Sequence, residues 1–380
     1  MRLYTLFSII LFGMLSCTKE SLREVQFIKL QEGHIQPKVA VDTEGIVHIL
    51  SYKGEAGAGD IYYGTILPGD TTISHMVRVN DLPGAAIAAG TIRGAQLAVG
   101  KDGTVHVLWN GSGETRSLAE DSTALFPLLY SRKMPGETSF SKARNIISKA
   151  WGLDGGSSIA ANDHGGVFIA WHAPLPGKKG EENRRVWLSI SKDNGENFSE
   201  EDIISDSSHG VCGCCGLQLH NGPEGLYTLY RNVDGNGGRN IHLISLGKDG
   251  KEAKDILADH WPIDGCPMSS STLFSAEKGV FGAWEAEKKI TFAKVSGTDL
   301  ELKSPQTQNE GSRHPSIVSL EDHIMLVWSE GTGWNKGGDA AWEIIGPSGK
   351  TINSGKMKGA VPVWGFATAF ARDNGFSIIY

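Results

Sequence analysis

The stretch Ser158-Ile159-Ala160-Ala161-Asn162-Asp163-His164-Gly165-Gly166-Val167-Phe168-Ile169-Ala170-Trp171 is one phrase in four parts: an apolar strand, a turn rich in Gly and Asp, a second apolar strand and a large aromatic. The chain carries it seven times, usually with the closing aromatic, ending at Ser51, Trp109, Trp171, Tyr230, Trp284, Trp328 and Tyr380. The second strands include Val47-His48-Ile49-Leu50, Val105-His106-Val107-Leu108 and Ile324-Met325-Leu326-Val327. The phrases recur at intervals of roughly 44 to 62 residues, a period that means propellers, solenoids or arrays. A unit this small cannot bury its own apolar face, so it must stack on its neighbours in one closed body.

Two further strand-like segments lie between successive phrases, for example Val186-Trp187-Leu188-Ser189-Ile190 and 201–204. Four short strands per unit make a propeller blade. The inner pair is covered on both sides by neighbouring blades and is therefore apolar almost throughout, without alternation. The expectation is an all-β propeller of seven blades, with six as the alternative. Six phrases carry complete outer pairs, whereas the last, 369–380, lacks outer strands of its own. Val25-Gln26-Phe27-Ile28-Lys29-Leu30 is the natural donor of one strand that closes the ring and removes its open edge. Forty-nine Gly and ten Trp agree with an all-β chain. A net charge of −7, with no Lys/Arg run, leaves no footprint for nucleic acid.

Met1-Arg2 is followed by an apolar run from Leu3 to Leu15 and then by Ser16-Cys17. One positive charge, about a dozen apolar residues and a small residue at the break match a secretory signal too short to span a bilayer. With Cys after the break, Met14-Leu15-Ser16-Cys17 resembles the lipobox of a bacterial lipoprotein. That resemblance implies a signal peptide over 1–16, lipidation of Cys17 and one propeller domain over 17–380. It also implies an exported protein on the outer membrane or cell surface, joined to the membrane through its lipid anchor.

Ser191-Lys192-Asp193-Asn194-Gly195-Glu196-Asn197-Phe198 matches Ser-x-Asp-x-Gly-x-x-aromatic, the Asp box. Its Asp caps the turn, its Gly takes a positive φ and its aromatic packs inward, so its role is structural. Degenerate copies are expected at 131–140 and 245–250. With the seven phrases, this box makes the chain resemble the sialidase-like, BNR-repeat β-propellers across nearly all of its mature length. The resemblance implies a carbohydrate or glycoconjugate ligand. If the protein is an enzyme, it implies a sialidase-like glycoside hydrolase or a polysaccharide lyase.

Strand direction alternates along a blade. The Gly/Asp turns and the Asp box therefore share one face, and the loops entering and leaving each phrase share the other. The latter loops carry Arg93, Arg231, Arg239, Arg313, His314 and Trp334 as candidate substrate-binding residues, and Asp264, Glu285 and His172 as candidate proton-transfer groups. Sialidases grip a sugar carboxylate with arginines, and a planar guanidinium fork suits a carboxylate or a sulfate. The ligand implied is an anionic glycan. The sialidase pattern is incomplete, since no Arg-Ile-Pro stands near the start, and Tyr230, which ends an inner strand, reads as core. Trp109, Trp171, Trp284 and Trp328 read as core as well, whereas Trp334 stands in a Gly-rich loop and suits stacking on a sugar.

Cys212, Cys214 and Cys215 share one entering loop, and Cys266 stands in the next. In an exported protein the default is disulfides, and four cysteines allow three pairings. Each pairing staples the two blades and leaves the other two cysteines to close a small local ring. No cofactor is expected. A thiolate site for a soft metal is the alternative, and with it a metal or redox protein. A non-catalytic recognition or assembly module is the remaining alternative, because a propeller fold does not choose its function.

Overall fold

The computed structural model describes residues 24–119, 126–235, 237–296, 300–373 and 375–380. The lipobox-like segment and Cys17 lie outside the described residues. Seven small sheets follow one another along the chain, one for each phrase, and all but the last are wholly antiparallel. Their innermost strands are His34–Val41, Gln96–Val99, Ser158–Ala161, Gln218–Gly222, Ser271–Ala276, Arg313–Leu320 and Thr368–Arg372. Each lies against the innermost strand of the next sheet, and the seventh lies against the first, so the sheets are blades of a closed seven-bladed propeller. Closure comes from the predicted donor: Gln26–Ile28 runs parallel to Gly375–Ile379 in the register Gln26↔Ser377, Phe27↔Ile378, Ile28↔Ile379. The pairing continues as Leu30 N to the Tyr380 carbonyl at 2.8 Å and Tyr380 N to the Ile28 carbonyl at 3.1 Å.

There are seven hydrophobic cores, one in each gap between blades. Leu50, Tyr52 and Ile61 of blade 1 meet Val107, Trp109 and Leu129 of blade 2. Leu108 and Tyr130 of blade 2 meet Val167, Ile169 and Trp171 of blade 3. The seventh gap joins Ile28, Phe370 and Ile379 to Val47, Ile49 and Ile66. A second strand feeds the gaps on both of its sides, which is why all six residues of Val105–Asn110 are buried. Trp109, Trp171, Trp284 and Trp328 are 0–1% exposed, each in such a gap.

Two outer edges depart from expectation. Among the described residues, blade 5 consists of Ser271–Ala276, Gly279–Ala286 and Lys289–Lys294, with a single bridge between Phe292 and Lys303 where a fourth strand was expected. Blade 4 gains a short strand, Gly210–Val211, which pairs with Asn232 and Val233 beyond the end of its inner pair. The Asp box is a docking turn. Asp193 Oδ1 accepts from Ser191 Oγ at 2.7 Å and from Asn197 N at 2.9 Å, and Phe198 lies edge-on to Tyr130 of blade 2 at 5.0 Å. Gly195 has φ 80°, and a Cβ there would strike the Tyr130 hydroxyl.

Candidate functional site

Five of the innermost strands are entered under backbone constraint, at their first residues or in the loop before them. Gln36, Thr91, Met268, His314 and Trp364, in five different blades, hold φ between 47° and 65°. Non-glycine residues in this region persist where surrounding contacts over-determine them, commonly at ligand sites. The 266–268 loop crosses towards blade 2 so closely that a Cβ on Gly90 would lie 2.7 Å from Met268 Cε and 2.5 Å from Arg93 Nη1.

Two arginines flank that loop. Arg93 donates from Nε to the Asp154 carbonyl at 2.7 Å, from Nη2 to Asp154 Oδ1 at 2.7 Å and from Nη1 to the Ala89 carbonyl at 3.1 Å. Arg313 donates from Nε to Glu285 Oε2 at 3.4 Å and from Nη2 to the Pro267 carbonyl. Their side chains are 19% and 23% exposed, and neither engages all five of its guanidinium N–H groups among the described residues.

Glu285 is 3% exposed beside Arg313. Burial pushes its carboxyl up to about 7, against the pull of Arg313 and Arg231. A carboxyl that keeps its proton near neutral pH is suited to act as a general acid.

Most of the other predicted residues hold loops in place. Arg231 is 2% exposed, its donors going to the Arg239 carbonyl at 2.5 Å, Ser269 Oγ at 2.8 Å and the Glu285 carbonyl at 2.7 Å, with the Trp261 ring 4.8 Å away. It rivets blade 4 to blade 5 and presents nothing to a ligand. Arg239 pairs with Glu181 Oε2 at 2.9 Å, and Glu181 Oε1 takes the Gly213 N–H at 2.6 Å. Both ring nitrogens of His172 are engaged: Nε2 meets the Cys215 carbonyl at 2.9 Å, and Nδ1 accepts from Arg184 Nε at 3.2 Å. Burial and the Arg184 charge bring its pKa down to about 3. His172 is thus a neutral spacer, sealed off from proton transfer. His314 is buried with Nδ1 3.1 Å from Ser270 Oγ. Asp264 is exposed and forms no hydrogen bond or ion pair among the described residues.

Trp334 is 68% exposed and lies edge-on to Trp364 with ring centroids 4.7 Å apart. Sequence reading passed over Arg184 and Glu181. The charged run Glu181-Glu182-Asn183-Arg184-Arg185, placed where a leaving loop turns into a third strand, was the available signal.

The staple between the cysteine loops is Cys214–Cys266. The remaining two do not close a local ring. Cys212 and Cys215 are buried thiols, with Cys212 Sγ donating to Cys215 Sγ at 3.4 Å. Burial alone would raise the Cys215 thiol, yet the Cys212 hydrogen bond and the Arg231 charge bring it down to about 6. The sulfurs of Cys212, Cys214 and Cys215 lie within 4.8 Å of one another. Because Cys214 is oxidised, two thiols remain, short of the four ligands of a structural zinc site. His209, His242 and Asp255 form a second cluster, in which Asp255 already accepts from Tyr230 Oη at 2.5 Å and lies 2.9 Å from His242 Nδ1.

No protein-family model matches the sequence, and no curated protein matches it. Solved structures do match by shape. The chain superposes on an α-L-arabinanase from Penicillium chrysogenum, solved with arabinobiose, at TM-score 0.53 and 13% identity, covering 83% of this chain and 94% of that one. It matches an α-L-arabinofuranosidase from Fusarium graminearum, solved with an iminosugar inhibitor, at TM-score 0.53 and 10% identity over 85% and 97% of the two chains. A sialidase from Trypanosoma rangeli, solved with sialic acid, matches at TM-score 0.50 and 9% identity over 92% of this chain and 56% of that one. At such identities these likenesses show the fold, a sialidase-like β-propeller.

Proposed function

We propose that the loop face binds an anionic carbohydrate, and that the protein does so outside the cytoplasm, tethered by a lipid on Cys17. The observation that carries the reading is the pair Arg93 and Arg313, partly exposed on either side of the 266–268 loop with guanidinium donors still unengaged. A carboxylate or sulfate bridging them would complete both forks. Trp334 offers the aromatic face for the sugar ring, with Trp364 as its support. The propellers of similar shape named above were solved with sugars or sugar mimics, which agrees with a carbohydrate ligand. If the bound glycan is also cleaved, Glu285 is the acid.

A glycan array of sialylated, uronic-acid and sulfated chains tests the reading. The Arg93→Ala/Arg313→Ala variant is expected to lose at least tenfold in binding, and Trp334→Ala to weaken acidic and neutral versions of one glycan alike. Unchanged binding by the double-arginine variant would overturn the anionic assignment. Assays for hydrolysis and elimination on the glycans that bind, with Glu285→Gln as the control, separate an enzyme from a recognition module.

A further inference from the structure

A cavity of about 490 Å³ runs along the axis of the ring, walled by the innermost strands of all seven blades. Each of those strands is paired on one side only, so its other edge turns backbone N–H and C=O groups towards the axis. The lining contains one ammonium, that of Lys38, two histidines, His220 and His314, and, among the described residues, no Asp or Glu. Lys38 has no hydrogen bond or ion pair among the described residues, and its Nζ lies over the Phe366 ring, 5.1 Å from the centroid.

A lone cation in such a place is costly, and buried charges are normally paired. The two histidines add no charge beside it. Burial, with the Arg313 and Lys38 charges, lowers His314 to about 3, and burial lowers His220 to about 4, so both are uncharged at neutral pH. Burial lowers Lys38 as well, but only to about 8, which leaves it charged at pH 7. Among the described residues the charge lacks a partner of opposite sign, and the surrounding wall supplies hydrogen-bond donors but no competing carboxylate.

We propose that the axial channel is an anion site in which the Lys38 ammonium anchors one oxyanion or carboxylate group. Two sources supply that chemistry: a free inorganic anion, or an acid group of a bound sugar descending from the loop face. The second is favoured by position, because the lining residues Thr91, Ile92 and Ser270 are sequence neighbours of Arg93 and Ser269. The free-anion source does not depend on the proposed glycan site.

Calorimetric titration with sodium sulfate and with sodium glucuronate, each against sodium chloride at matched ionic strength, tests the site. In Arg93→Ala/Arg313→Ala, where the arginine pair of the proposed glycan site is gone, the chain is expected to take up one equivalent of sulfate or of glucuronate, with affinity reduced at least tenfold when Lys38→Met is added. Uptake of sulfate assigns a free anion, and uptake of glucuronate alone assigns the acid group of a sugar. Equal affinity when Lys38→Met is added, or no saturable uptake of either anion by the double-arginine variant, overturns the proposal. Should Lys38→Met fail to fold, the Lys38 ammonium signal of ¹⁵N-lysine-labelled wild-type protein decides. It is expected to shift on saturation with the bound anion, and a signal that stays in place rules the site out.

Discussion

Glu201 shows how one side chain fixes a loop that carries no secondary structure. It is fully buried, and its Oε1 accepts from Ser148 N at 3.1 Å, Lys149 N at 2.6 Å and Ala150 N at 2.6 Å, while Oε2 takes Ser148 Oγ at 2.6 Å. The Ala150 carbonyl then receives Trp171 Nε1 at 3.1 Å, so the carboxylate sets the height of a core tryptophan. Glu201→Ala strands three backbone donors and is expected to cost roughly 3–5 kcal/mol in urea unfolding. Glu201→Gln keeps an acceptor at Oε1 and is expected to cost less than half as much. Equal losses would show that volume, and not hydrogen bonding, holds the loop.

Glu285 gives a prediction with a sign. Its carboxyl holds a proton in the fold up to about pH 7, whereas the unfolded chain releases it near 4.5, so its contribution to stability falls as pH rises between those values. Glu285→Gln does not titrate. The stability of wild type relative to this variant is therefore expected to drop by about 3 kcal/mol from pH 4.5 to 7.5. The difference between the two proteins is the quantity to measure. His106, His172, His220 and His314, all lowered to about 3 or 4, make the raw stability of both proteins rise with pH up to about 6.5. A flat difference would place Glu285 in water.

At the scale of elements, the repeated phrase was legible because an inner strand is buried from both sides, which writes an apolar run into the sequence whatever its neighbours are. Side chains also pair within blades. His48 Nδ1 meets Tyr63 Oη at 2.7 Å and His106 Nδ1 meets Tyr130 Oη at 2.8 Å, and both histidines follow a Val that opens a second strand. Phe140 packs edge-on to Tyr63 as Phe198 does to Tyr130, which gives the degenerate turn at 131–140 the packing of the full Asp box. The single bridge that stands for a fourth strand in blade 5 among the described residues was illegible, because only the partner edge decides whether the residues after Lys294 pair.

The cysteine loops were legible as a staple but not as a pairing, since the choice between Cys212, Cys214 and Cys215 turns on which side chain faces Cys266. The staple spans 52 residues of sequence, enough for chain entropy to be worth about 4 kcal/mol. Cys214→Ser/Cys266→Ser is expected to lose up to about that amount in guanidinium unfolding. Cys212→Ser/Cys215→Ser, which removes two buried thiols and no crosslink, should lose less. The reverse order would mean that the bond in solution joins a different pair.

For the whole molecule, ring closure is the step on which the seven cores depend, and it rests on three residues. Gln26–Ile28 covers the open edge of Gly375–Ile379, and its flanks Val25 and Leu30, with Ile28, are 5–9% exposed in the gaps on either side of blade 7. The donor was readable in the sequence because the last phrase lacks outer strands. The candidate site was readable only as a face: which arginines reach solvent and which rivet loops depends on contacts between blades that no single loop encodes. Removing residues 1–30 strips three apolar side chains from those gaps, each worth roughly 1.5–3 kcal/mol, and leaves an unpaired strand edge. The shortened chain is expected to melt well below the wild type and to self-associate on size exclusion, because that edge is a template for pairing with a second copy. A synthetic peptide of residues 24–31 added in trans should restore the monomer and most of the melting temperature, while the same peptide with Ile28→Asp should not. A shortened chain that stays monomeric and melts like the wild type would mean that six blades and the last pair close the ring by themselves.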